Sequence, residues 1–252
     1  MQTGIQISSL KPLLTSEGQV HAAFLKAAGL GCSIVQLQWI DPSIPLESIA
    51  DALEAAGLRS VSVQDLYESV RENPAYYLCL NALTGGQWLC VSRVPDRLKS
   101  AEGLSQFVQE LTAMTEAAKQ YGQRVCFHPI SSDYALIKGV CPVDELLDAI
   151  PELQLCLDLY HLNKAGYGMP AWILKHAKRI VMVHFKDAKG GRLVPAGQGD
   201  LCWDGVVEAC VQAGVQYAFV EQETWEKDPF LCLEEALEWV REAMKKAVSA
   251  TA

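Results

Sequence analysis

Residues 155–161 read LCLDLYH. Leu155, Cys156 and Leu157 have the uninterrupted apolar character of a strand buried on both faces. The run stops abruptly at Asp158, and His161 follows three residues later. A carboxylate at the tip of a core strand needs a partner or a purpose, because burying an unpaired charge is costly.

Outward from this stretch, short β-rich runs alternate with longer amphipathic ones. Strands are expected at Gly4–Ile7, Ser33–Leu37, Ser60–Val63, Trp88–Val91, Arg124–His128, Gln154–Leu157, Ile180–His184 and Tyr217–Val220. Helices are expected at Glu17–Ala28, Leu46–Ala56, Glu68–Leu83 with a break at Pro74, Leu104–Tyr121, Val143–Ile150, Pro170–His176, Trp203–Ala213 and Pro229–Ala247, with a frayed tail over Val248–Ala252. Strict alternation implies a parallel sheet. Eight strand–helix units in 252 residues fit an α/β fold made of a single (β/α)₈ TIM barrel, one domain over residues 1–252. The competing open sheet often carries a glycine-rich turn after its first strand, where this chain has Ser8-Ser9-Leu10-Lys11-Pro12.

The net charge of −9 and the lack of a dense Lys/Arg cluster argue against nucleic acid or an anionic membrane as partner. No apolar run approaches the roughly 18–20 residues of a membrane span, and the opening MQTGIQISSL has no signal-peptide pattern. The nine cysteines include no CxxC pair, and Cys90, Cys126 and Cys156 sit inside apolar runs. They read as reduced core thiols of a cytoplasmic protein. Self-association into a homo-oligomer stays open.

In a barrel, the C-terminal strand tips share one mouth. The fifth to eighth strands, RVCFH, LCLD, IVMVH and YAFVE, end at His128, Asp158, His184 and Glu221. One histidine after an apolar run is more often a structural residue. Four consecutive tips of metal-binding type point instead to a shared divalent cation, and two carboxylates with two imidazoles give mixed oxygen and nitrogen ligation.

The chain resembles the xylose-isomerase-like TIM barrels, in their sugar phosphate isomerase/epimerase branch. TGIQISSLKPLL resembles the opening strand and turn, CFHPISSDY the YHNHxxEF segment, and LCLDLYHLNKAG the strand-six segment. IVMVHFKDA resembles HVKD, GQGDLCWDGVVEA resembles GxGxxDF, and YAFVEQE resembles VEQD. The resemblance implies metal ligation by Asp158, His184 and Glu221, with His128 at the first ligand position where the epimerases carry Glu. It implies substrate contacts for His161, Lys186 and Gln6, and a place for Asp133 as the shortened acid of the EF pair. Pro129 and Ile130 replace polar members of the motif, Gln36 stands where relatives often have Glu, and Gln64 where many have His.

The activity so implied is isomerisation or epimerisation of a small sugar or keto-polyol. A divalent ion, Mn²⁺ first and Mg²⁺, Co²⁺ or Zn²⁺ as alternatives, stabilises the enediolate formed when a base removes the proton beside a carbonyl. Glu221 is the first candidate base, with Asp133 or His128 on the opposite side. The incomplete pair of glutamates supports a second reading, a dehydratase acting on a keto-sugar or inosose. A non-catalytic sugar-binding barrel is a third. The loop Asp187–Asp200 reads as either a mobile lid or an ordinary long connection. Trp39, Trp88 and Trp203 fit core packing better than a sugar-stacking face.

Overall fold

The computed structural model describes residues 1–251. Eight parallel strands close into a barrel: β1 (Gln2–Gln6), β2 (Ile34–Leu37), β3 (Arg59–Leu66), β4 (Trp88–Ser92), β5 (Arg124–His128), β6 (Gln154–Asp158), β7 (Ile180–Phe185) and β10 (Tyr217–Val220). β1 pairs with both β2 and β10, which leaves no edge. Between β7 and β10 the chain inserts an antiparallel hairpin, β8 (Asp187–Lys189) with β9 (Arg192–Val194).

The ring follows from the alternation. The strands carry apolar residues on their outer faces, and the helices between them cover these with residues such as Phe24, Leu53, Phe107, Leu146, Ile173 and Leu237. A smaller cluster fills the barrel interior, including Trp88, Cys90, Cys126, Cys156, Met182 and Phe219. The barrel is thus a packed core, and its polar layer lies above this floor.

Expected and observed elements differ where side chains cap the backbone. The break at Pro74 is real: one helix covers Tyr67–Glu72, and a second begins with Pro74 at its first position, where a missing N–H costs nothing. Asn73 accepts a hydrogen bond from the Tyr76 amide there. The helix expected from Leu104 starts at Ala101, because Ser100 accepts from the Gly103 amide. The six-residue helix Leu159–Lys164 was not expected. The last helix runs on to Thr251, so the expected fraying from Val248 does not occur through that point. Ala252, the end of that expected tail, lies outside the described residues.

Register sets the strand tips level with one another. Asp158 pairs with His184, Ser92 with His128, and Gln6 with Gln36. All nine cysteines are free; Cys79 and Cys202 are exposed rather than buried. No helix among the described residues is long and apolar enough to cross a membrane.

Candidate metal centre at the barrel mouth

Among the described residues, His128, Asp158, His184 and Glu221 each place one donor atom within 4.8 Å of the others, and all four are buried. Each side chain is also held from behind by a residue outside the cluster, and these anchors fix its orientation.

Asp158 is the N-cap of the helix Leu159–Lys164. Its Oδ1 accepts from the His161 amide at 2.9 Å. That bond satisfies an orphan helix N–H and fixes the carboxylate. The other oxygen, Oδ2, is buried without a hydrogen-bond partner and lies 3.8 Å from His128 Nε2. A buried carboxylate oxygen left unpaired is expensive unless a cation completes it.

His184 is bound on both sides of its ring. Nε2 lies 2.5 Å from Gln36 Oε1 and 3.1 Å from Cys156 Sγ. Nδ1 lies 3.0 Å from Glu221 Oε2 and 3.2 Å from His128 Nε2. Gln36 cannot turn its amide round. Its oxygen also accepts from Gln6 Nε2 at 3.1 Å, and its nitrogen donates to Gln64 Oε1 at 3.1 Å. The amide oxygen therefore takes the Nε2 proton and leaves Nδ1 facing the cluster. Burial alone would lower the His184 pKa, but Cys156 and Glu221 beside it raise it well above the ordinary imidazole value.

His128 rests against Ser92, whose Oγ lies 3.2 Å from Nδ1, and presents Nε2 to the cluster. Burial, then the neighbouring His184, pushes its pKa down to about 3, so the ring is neutral and able to act as a ligand. Glu221 follows the last residue of β10. Its Oε1 accepts from Ser8 Oγ at 2.9 Å, which leaves Oε2 inward. Burial favours the protonated acid, but Lys186 and His184 hold Glu221 well below the usual carboxylate range.

Lys186 closes the cluster on one side. Its Nζ lies 2.5 Å from Glu223 Oε1, 3.7 Å from Glu221 Oε2 and 4.0 Å from Asp158 Oδ2. Burial disfavours its charge, but Glu221, Asp158 and Glu223 together raise its pKa, so the ammonium persists. His161 is partly exposed, with Nε2 3.9 Å from Asp158 Oδ2 and Nδ1 without a hydrogen-bond partner.

Two other expected site residues are outside the four-donor cluster and engaged with protein groups. Gln6 is fully buried, and its amide is engaged with Gln36 and with the Ser8 N–H. Asp133 caps a short turn, Ser131–Tyr134. It accepts from the Ile130 amide at 3.0 Å and pairs with Lys99 at 3.5 Å. Burial, partly countered by those bonds, lifts its pKa to about 6. The structure thus gathers His128, and not Asp133, with the other three tips.

Ser8, Ser92 and Glu223 drew no attention in the sequence. The serines carry no signal, since any strand end tolerates one. Glu223 did carry one, two residues after a strand-tip acid. The loop 187–200 is anchored by Asp187, which is fully buried. Its carboxylate accepts from the Ala188, Gly197, Gly199 and Leu201 amides and from Trp203 Nε1. A Cβ at Gly199 would lie 2.0 Å from Asp187 Oδ1, so only glycine fits there. These bonds tie the loop 187–200 to one buried carboxylate beside Lys186.

The donor set, the unpaired Asp158 oxygen and the neutral His128 ring all fit a divalent cation. The profile of the family described as xylose isomerase-like TIM barrel matches residues 78–245. The rhizopine catabolism protein MocC of Rhizobium meliloti is 32% identical over 120 residues, which make up 47% of this chain and 36% of that protein. The chain thus spans about a third of this curated relative's length. A sugar phosphate isomerase/epimerase structure from Parabacteroides distasonis ATCC 8503 matches with a TM-score of 0.81 at 16% identity, over 94% of this chain and 92% of that one. An L-ribulose 3-epimerase structure matches with a TM-score of 0.81 at 14% identity, over 100% of this chain and 97% of that one. At these identities the structural matches establish a common fold.

Proposed function

We propose that this chain, which belongs to the xylose isomerase-like TIM barrel family, is a metal-dependent isomerase or epimerase of a small sugar or keto-polyol. The observation that carries this reading is the convergence of four inward donor atoms from His128, Asp158, His184 and Glu221, each side chain anchored from behind by Ser92, the His161 amide, Gln36 or Ser8. Such double anchoring is costly to build for packing alone and is what a ligand set requires.

The cation, with Mn²⁺ as the first candidate for this mixed set, supplies Lewis acidity to a substrate carbonyl oxygen. The chain supplies the rest. Glu221 is ionised; Oε2, which faces the cluster, would hold the cation, and Oε1, which accepts from Ser8 Oγ, would take the proton from the carbon beside the carbonyl. Lys186 keeps its charge and faces the oxygen on which negative charge grows. His161, whose Nδ1 has no protein partner, orients a substrate hydroxyl. Gln6 and Gln36 position His184.

A dehydratase is the second reading. The residue at the tip of β5, opposite Glu221 in role, is a histidine and not a second acid, so the two-carboxylate proton exchange of an epimerase is incomplete. Lys186, an acid beside the same cluster, is placed to give a proton to a departing hydroxyl. Incubation with candidate keto-sugars in D₂O separates the two. An isomerase or epimerase incorporates deuterium into a product of unchanged formula, whereas a dehydratase product lacks one water. Neither exchange nor water loss with any keto-sugar tested, in metal-loaded protein, sinks both readings.

A further inference from the structure

A cavity of about 480 Å³ opens over the tips of β2 and β3, beside the cluster but not lined by any of its four residues. Two covalent or hydrogen-bonded paths join them. The 3₁₀ turn Ile7–Leu13 holds Glu221 through Ser8 and lines the cavity through Lys11. Those residues are three apart, on either side of a kink at Leu10. The second path runs from His184 through Gln36 and Gln64 to Gln38, and the last two line the cavity's wall.

The wall has the chemistry of a carbohydrate site. Trp39 stands half-buried at the tip of β2 with φ 57°. That left-handed backbone is strained for a non-glycine residue and persists where the surroundings impose it, commonly at ligand sites. Lys11 Nζ lies 4.6 Å from the indole centroid. Asp65 contributes a half-buried carboxylate that accepts from Tyr77 Oη at 3.0 Å. An aromatic plate beside amides and a carboxylate suits a ring with an apolar C–H face and hydroxyl edges. Lys11 is the one cation in the lining, beside Asp41 and Asp65, so the cavity has no surplus of positive charge to attract a phosphate or carboxylate group.

We propose that this cavity is a second sugar subsite and that the substrate has two rings: a glycoside or disaccharide whose carbonyl-bearing ring sits at the cluster, while its neutral partner ring lies against Trp39. The proposal rests on the reading of the cluster as the place of proton transfer.

Two probes test it on Mn²⁺-loaded protein by calorimetry: a disaccharide oxidised to a ketone on one ring, and the methyl glycoside of that same keto ring. The disaccharide binds at least about ten-fold tighter, because the contacts of its second ring are made intramolecularly, and Trp39→Ala erases most of that ratio. Gln38→Ala gives the same comparison if Trp39→Ala fails to fold. A disaccharide that binds no tighter than the methyl glycoside overturns the subsite, as does a ratio that survives both substitutions. Deuterium exchange on the same probes reports the cluster separately. A preserved ratio without exchange removes the proton-transfer reading and keeps the subsite; exchange without a ratio does the reverse.

Discussion

The amide oxygen of Gln36, on β2, lies 2.5 Å from His184 Nε2, on β7, across the interior of the barrel. This contact decides which imidazole nitrogen faces the four-residue cluster. Gln36→Leu keeps the volume close but leaves the Nε2 proton with Cys156 as its remaining neighbour. A buried donor losing its acceptor costs about 1–3 kcal/mol. Loss of an outer partner of a ligating histidine lowers metal affinity roughly 10–100-fold. Thermal unfolding and chelator competition measure the two effects, and an unchanged metal affinity contradicts the assignment.

Asp158 has two separable roles. Asp158→Asn keeps an oxygen for the His161 amide but turns an NH₂ toward the cluster, so the fold survives and metal binding is lost. Asp158→Ala removes the cap as well and costs about 1 kcal/mol more. Circular dichroism and metal content distinguish the two variants. Full metal occupancy in Asp158→Asn is the contrary result.

Protons compete with the cation at His184. Its pKa is raised well above the ordinary value, so the metal-free ring is charged at neutral pH. His128 near 3 and the depressed Glu221 carry no exchangeable proton between pH 6 and 8. Binding therefore releases one proton, and affinity rises about ten-fold per pH unit over that range. Affinity falls as the solution is acidified. Titrations at three pH values give the slope, and a flat profile removes His184 from the ligand set.

Lys186 offsets the charge of Glu221, Asp158 and Glu223. Lys186→Met strands buried acids and destabilises the metal-free protein by about 3–5 kcal/mol. A bound cation restores most of the balance, so the metal-induced rise in Tm is larger than in the wild type, while turnover stays low for want of the ammonium. Equal metal-induced shifts in both proteins count against this placement.

The architecture was legible because its determinants are local: apolar runs followed by amphipathic stretches repeat eight times. The cluster was legible for a related reason. In a closed parallel barrel any residue at a strand tip faces the same mouth, so His128, Asp158, His184 and Glu221 meet without any contact having to be predicted. What escaped was pairwise. The chain Gln6–Gln36–Gln64–Gln38 depends on which interior residues share a layer, and strand register decides that. The helix after Asp158 escaped because a single carboxylate starts it. The glycines of the loop 187–200 suggested mobility, yet Gly197 and Gly199 are there to let their amides reach a buried carboxylate. Asp133 read as a site acid, and its role as the cap of the turn after β5 escaped notice.

The most direct test is to load the purified chain with Mn²⁺, count the metal per chain and locate it by anomalous diffraction. We expect one ion per chain, bonded to His128, Asp158, His184 and Glu221 together, and none in Glu221→Gln crystals grown the same way. A chain that retains no stoichiometric metal, or one that holds it away from these four tips, contradicts the account.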